Sequence, residues 1–223
     1  GEGYETLMVD TVAFLRLAAR EAGAAILRFR DRACDPFLEP ERVSVAEAFA
    51  AHAGVDLLAS IRGDGTTDAG RLGAELDRIG VRRASDDTWS DMLSRVLSEK
   101  VEPKLGLGRV TILDRYPAAE AALARRVPGD ARVAERFEVY GCGVELANGF
   151  GELTDAGEQR RRFEAEMAEK ARVYGESYPL DEDFLAALSI MPPAAGIAMG
   201  FDRVVMLATG APRIEEVMWT PVP

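Results

Sequence analysis

The stretch from Phe184 to Phe201 restricts the fold more than any other part of the sequence. It holds eighteen residues without a charge, long enough on length alone for a membrane helix. Pro192 and Pro193 sit in its middle, and Gly196 and Gly200 divide what remains, so one continuous helix is excluded and no membrane span is expected. A short helix, a turn and a buried strand over Ala194 to Met199 fit it instead. On that strand Ala195, Ile197, Met199 and Phe201 fall on one face, and Ala194, Gly196, Ala198 and Gly200 on the other. The apolar face belongs to a core. The face of four tiny residues leaves room for a closely packed helix or for a flat ligand such as a nucleotide. Asp202-Arg203 then opens a helix, so the arginine stands near free N–H donors that favour phosphate. The plainer reading pairs Arg203 with Asp202 or Glu145.

Elsewhere apolar spacing predicts an amphipathic helix from Tyr4 to Phe29, a proline-containing loop over 31–40, and a helix running from an N-cap at Ser44 to His52. Two more helices follow near 70–80 and 87–100. From Arg109 the pattern changes: Val110 to Leu113 reads as a strand, and Val133 to Asn148 as two strands around Gly141-Cys142-Gly143. Helices over 155–173, 181–190 and 201–209 complete the chain. With no alternating strand–helix rhythm, the pattern predicts an α+β fold, an antiparallel sheet flanked by helices.

Composition removes whole classes of function. The net charge of −11 opposes the counterion release that nucleic-acid binding relies on. His52 is the single histidine, and Cys34 and Cys142 are the two cysteines, so structural zinc and His-based hydrolase triads are excluded. Low cysteine use suits a reducing cytoplasm. P-loop, GxGxxG, HExxH and EF-hand patterns are absent, which leaves chemistry to carboxylates and arginines. If Gly141-Cys142 forms a two-residue hairpin loop, Glu138 faces Glu145 across the sheet at ~5 Å. Such a pair is a solvated edge or a magnesium site that also takes substrate phosphates. Asn148-Gly149 reads first as a turn, leading into a glycine-rich loop where Glu152 can meet a cationic ligand.

Several of these pieces stand together in one order. Arg136-Phe137-Glu138, the run Glu145-Leu146-Ala147-Asn148-Gly149-Phe150-Gly151-Glu152-Leu153-Thr154-Asp155, Gln159 with Arg162-Phe163, and Met191-Pro192-Pro193-Ala194-Ala195-Gly196 through Asp202-Arg203 resemble the signature runs of class II aminoacyl-tRNA synthetases of the lysyl type. Val101-Glu102-Pro103, Tyr116-Pro117-Ala118-Ala119 and Glu145 to Phe150 are more similar to its short paralogues without an anticodon domain, the elongation factor P β-lysine ligases. The resemblance is good over 101–223, moderate over 1–40 and poor between them.

The resemblance implies ATP-dependent activation of lysine or β-lysine to an aminoacyl adenylate, then transfer to a lysine of elongation factor P, with tRNA the less favoured acceptor. A catalytic-domain piece of a lysyl-tRNA synthetase and a non-catalytic binding module are the alternatives. It implies Glu138 and Glu145 for Mg2+ and ATP, Gly200 and Arg203 for ATP, and Arg203 and Glu145 as the catalytic pair. Asn148, Phe150, Glu152, Gly196 and Ala198 go to the amino-acid substrate, with Glu152 on its terminal ammonium. Residues 31–100 are expected as a helical insertion and 101–223 as the sheet carrying the acids. The family's first two motifs would precede Gly1, so the catalytic core is expected to be N-terminally incomplete and weakly active alone, and the intact protein a cytoplasmic homodimer.

Overall fold

Ser44 and Glu47 show how local chemistry sets an element boundary. The Ser44 hydroxyl accepts from the Glu47 N–H at 3.2 Å, and the Glu47 carboxylate accepts from the Ser44 N–H at 2.8 Å, so two otherwise orphaned donors are satisfied where a helix begins. Thr88 and Asp91 repeat the device, while Asp155 and Asp181 cap later helices singly. The computed structural model describes residues 2–121 and 123–220. Its elements are α1 (Tyr4–Glu21), β1 (Leu27–Phe29), β2 (Arg32–Asp35), β3 (Glu41–Ser44), α2 (Val45–Ala53), α3 (Ala69–Arg78), α4 (Trp89–Val96), β4 (Gly108–Arg109) and β5 (Thr111–Asp114). After these come β6 (Arg126–Val127), β7 (Asp130–Ala134), β8 (Arg136–Gly141), β9 (Val144–Gly151), α5 (Ala156–Tyr174), α6 (Glu182–Leu188), β10 (Ala195–Met199) and α7 (Phe201–Thr209).

A five-stranded sheet in the order β10-β9-β8-β5-β3 organises the chain, beside a three-stranded sheet β1-β2-β4 and the pair β6-β7. The α+β class holds, but the sheet is not purely antiparallel, because β3 runs parallel to β5 and β2 parallel to β4. The helices α2 to α4 lie between β3 and β5 and supply the long crossover a parallel pair needs. The stretch expected to be helical between 31 and 100 therefore also lends β2 and β3 to the sheets. The first helix ends at Glu21, not Phe29: the chain turns at Gly23, with φ +65°, and enters β1. Apolar spacing runs on past the helix because Leu27 is a fully buried strand residue.

Each face of the large sheet has its own core. Phe137, Val139, Ala147, Ile197 and Met199 pack with Tyr4, Met8, Val12 and Leu15 of α1 and with Val204 and Leu207 of α7. On the opposite face Leu113, Tyr116 and Tyr140 pack with Phe49, Leu72, Leu76, Trp89 and Leu93 from α2, α3 and α4. The buried members of this second core include residues of β5 and β8 but none of β9 or β10, so that face stays open at the β9–β10 end. Among the described residues no helix is long and apolar enough to cross a membrane; the uncharged run divides into α6, the Pro192-Pro193 turn and β10.

Gly106 fastens the β8–β9 hairpin to the segment ahead of β5. Its carbonyl accepts from Cys142 N–H at 2.7 Å, its φ is +67°, and a Cβ there would lie 2.6 Å from the Tyr140 carbonyl oxygen. Gly129 has a similar φ of +87° but open space around it. Gly129→Ala should cost about 1–2 kcal/mol of unfolding free energy through backbone strain alone. Gly106→Ala should cost at least about 2 kcal/mol more, the scale of a forced core overlap. Urea unfolding of the two variants measures the difference, and equal losses would contradict the close approach.

Candidate functional site

The hairpin turn is Cys142-Gly143, both at positive φ (+56° and +71°), with Gly141 paired to Val144 and Tyr140 to Glu145. This is the two-residue turn whose twist matches the strands, with glycine second. The expected pairing of Glu138 with Glu145 is thus overturned: Glu138 stands opposite Asn148, and Tyr140 opposite Glu145. Between Val139 and Tyr140 the register slips by one residue, so Glu145 and Leu146 together oppose Tyr140. Leu146 and Ala147 both turn into the α1–α7 core, while Glu145 and Asn148 both face the open side. On a regular strand two residues three apart would point opposite ways; the bulge is what unites them.

Beyond the bulge the alternation resumes. Asn148 pairs with Ala198 and Phe150 with Gly196, and Glu152 N–H donates to the Ala194 carbonyl at 3.0 Å. Asn148, Phe150 and Glu152 thereby share a face with the small residues of β10. Asn148-Gly149 is no turn: it lies inside β9, and Gly149 is demanded because a Cβ there would sit 2.6 Å from the Phe137 ring. A Cβ on Gly196 would sit 2.5 Å from Glu152 Oε1, so the missing side chain makes room for that carboxylate.

Glu138 is 6% exposed and each of its oxygens accepts hydrogen bonds. Oε1 accepts from Arg136 Nη2 at 2.8 Å and Asn148 Nδ2 at 3.0 Å, and Oε2 accepts from the Tyr140 hydroxyl at 2.6 Å. A carboxylate only accepts, so the Asn148 amide nitrogen must turn to it, leaving Asn148 Oδ1 buried and without a donor. The Tyr140 hydroxyl also lies 3.4 Å from Glu102 Oε1. Burial, with the Glu138 charge added, pushes the carboxyls of Glu102 and Glu145 above the ordinary range. Arg203, on the first turn of α7, donates to the Glu145 carbonyl at 2.9 Å and lies 3.4 Å from its carboxylate, one of the two pairings foreseen in the plainer reading. Gly200, whose N–H donates to the Leu146 carbonyl at 2.9 Å, closes this end. Glu152 differs from the rest: half-buried, it makes no side-chain hydrogen bond or ion pair among the described residues, and burial alone raises its carboxyl.

The sheet therefore gathers Glu138, Glu145, Asn148, Phe150, Glu152, Gly196, Ala198, Gly200 and Arg203 along one face. Among the described residues no three His, Cys, Asp or Glu side chains stand close enough to hold a metal by themselves. The acids instead suit a cation that shares its ligands with phosphates. Sequence reading passed over Arg136, Tyr140 and Glu102. The first two were legible, since a step of two either way from Glu138 stays on its face. Glu102 reaches the site through a π turn, Leu97–Val101, at the end of α4, which no local pattern announces.

Residues 40–222 match the family described as tRNA synthetases class II (D, K and N). The chain is 42% identical over 186 residues to the elongation factor P--(R)-beta-lysine ligase of Klebsiella pneumoniae strain 342, covering 83% of this chain and 55% of the relative. The proteins of that name from Edwardsiella ictaluri and Proteus mirabilis are each 42% identical, over 80% and 82% of this chain and 54% and 55% of theirs. The chain spans about half the length of the curated relatives it matches.

The unpaired Glu152 carboxylate has a signature in stability. A carboxyl whose pKa is raised on folding binds its proton more tightly in the native state, so stability falls as pH climbs from the unfolded value through the raised one. Glu152→Gln should melt higher than the parent at pH 7–8, by roughly 1–3 °C for a chain of this size. The gap should close below about pH 4, where both states are protonated. A variant that melts lower at pH 7–8 would mean the carboxylate has a stabilising partner.

Proposed function

Since the chain belongs to the class II tRNA synthetases of the D, K and N group, we infer that its site activates a diamino acid, lysine or β-lysine, with ATP. A substrate carboxylate oxygen attacks the α-phosphorus, the bond to pyrophosphate breaks, and an aminoacyl adenylate remains. A lysine amine of elongation factor P then attacks the acyl carbon and AMP departs. The observation that carries this reading is Glu152, a half-buried carboxylate with no partner among the described residues, on a floor of small residues. Such a group calls for a ligand that brings its own positive charge.

Distance along β9 orders the parts. Glu152 pairs the terminal ammonium, Phe150 lies against the aliphatic chain, and Asn148 offers its unpaired Oδ1 to a donor. Glu145 and Glu138 would hold Mg2+, which when bound would place positive charge beside the phosphate oxygens. Arg203 exchanges its contact with Glu145 for phosphate, beside the Gly200 backbone. The protein works by positioning and fixed charge, with no covalent intermediate on a side chain. The net charge of −11 favours a protein acceptor over tRNA, and the name of the relatives points the same way. The reading carries with it a cytoplasmic setting and a homodimer for the intact protein.

In the full-length protein, lysine- and β-lysine-dependent ATP–pyrophosphate exchange tests this directly. Glu152→Gln should raise the KM for the diamino acid by at least tenfold, about 1.4 kcal/mol, with little change for ATP. Ala198→Gly should shift preference toward α-lysine by about tenfold, since one methyl in a pocket discriminates by about 1–3 kcal/mol. Exchange that ignores both amino acids would refute the reading.

A further inference from the structure

Arg136 occupies an unusual position for a charged residue, on the central strand of the large sheet. Its guanidinium, on a side chain 17% exposed, stacks 4.4 Å from the Tyr116 ring centroid and 5.9 Å from that of Phe150. Nη1 donates to the Glu120 carbonyl at 2.5 Å and Nη2 to Glu138 Oε1 at 2.8 Å, while Nε is buried with no partner among the described residues. It pairs with Phe150 and Phe150 with Gly196, so one row of the sheet runs from the arginine to the small-residue strand.

The geometry points to Arg136 as a positioning residue for the amine end of the substrate, acting through Phe150 and Asn148. The argument has two branches. Glu138 Oε1 takes the Arg136 and Asn148 donors together, so the guanidinium holds the oxygen that dictates which way the Asn148 amide faces. The flat cation also lies over both the Tyr116 and the Phe150 rings, so it offers Phe150 a face to rest against. Lysine in its place keeps the charge but loses both the flat stacking surface and the second donor toward Glu120. The Arg136 side chain need not touch the substrate to do this.

This assignment rests on reading the site as one that binds a diamino acid, and titration calorimetry with lysine separates the two. Arg136→Lys and Tyr116→Leu are compared with the parent at a temperature where each is folded; the second keeps the arginine and removes one stacking face. The expected result is a lysine dissociation constant raised about tenfold in Arg136→Lys and about threefold in Tyr116→Leu. In pyrophosphate exchange the loss should fall on the KM for lysine, with the KM for ATP changed less than threefold. If both variants bind lysine as the parent does, whatever their melting temperatures, Arg136 only packs and the assignment is overturned. If the parent itself binds neither lysine nor β-lysine, the reading of the site fails, and the assignment with it.

Discussion

One extra residue in β9 decides what this sheet can do. Glu145 belongs with the arginine and the acids at one end of the face; Asn148, Phe150 and Glu152 belong with the small-residue strand at the other. Their spacing is odd, so a regular strand would bury one group in the α1–α7 core. By setting Glu145 and Leu146 together against Tyr140, the bulge turns Leu146 and Ala147 inward and keeps both polar groups outward. A local break in the ladder thus builds a continuous polar surface on a sheet whose other face is dry.

That surface carries its charges under tension. Glu138 accepts from three donors, yet Glu102 and Glu145 are raised by burial and by its charge, and Glu152 has no partner among the described residues. Structural acids elsewhere in the chain are treated differently. Asp114, 2% exposed, accepts from Tyr4 and Arg42, and Glu135, 7% exposed, is held by Arg125 at 2.6 Å. Acids whose carboxyls are raised by burial and collected on one open face cost stability, which is reasonable where incoming charge completes them.

Much of this was legible in the sequence because it follows from period. Strand parity alone put Gly196 and Ala198 on one side of β10 and Ile197 and Met199 on the other, and the pairing with β9 bears that out. The same parity fails past Met199, where Gly200 caps α7 and Phe201, expected in the core, is 75% exposed. The cap at Ser44 was readable from residue type. The facing of Glu138 and Glu145 was not readable. Gly141-Cys142-Gly143 allows the turn to slide by one residue, and nothing in the alternation reports a bulge. Asn148-Gly149 looked like a turn because the close approach that demands the glycine, the Phe137 ring, comes from the neighbouring strand. The parallel pairing of β3 with β5 depends on a crossover of three helices, information no short window contains.

The account stands on the claim that the acid–arginine end and the Glu152 end of this face serve one substrate. A crystal structure of the full-length protein with a non-hydrolysable lysyl-adenylate analogue tests it most directly. The account predicts the terminal ammonium within hydrogen-bond distance of Glu152 (~3 Å). It also predicts the aliphatic chain over Gly196 and Ala198, and the phosphate mimic beside Glu145 and Arg203. An analogue bound with Glu152 turned away from its ammonium, or lying off the β9–β10 face, would contradict it.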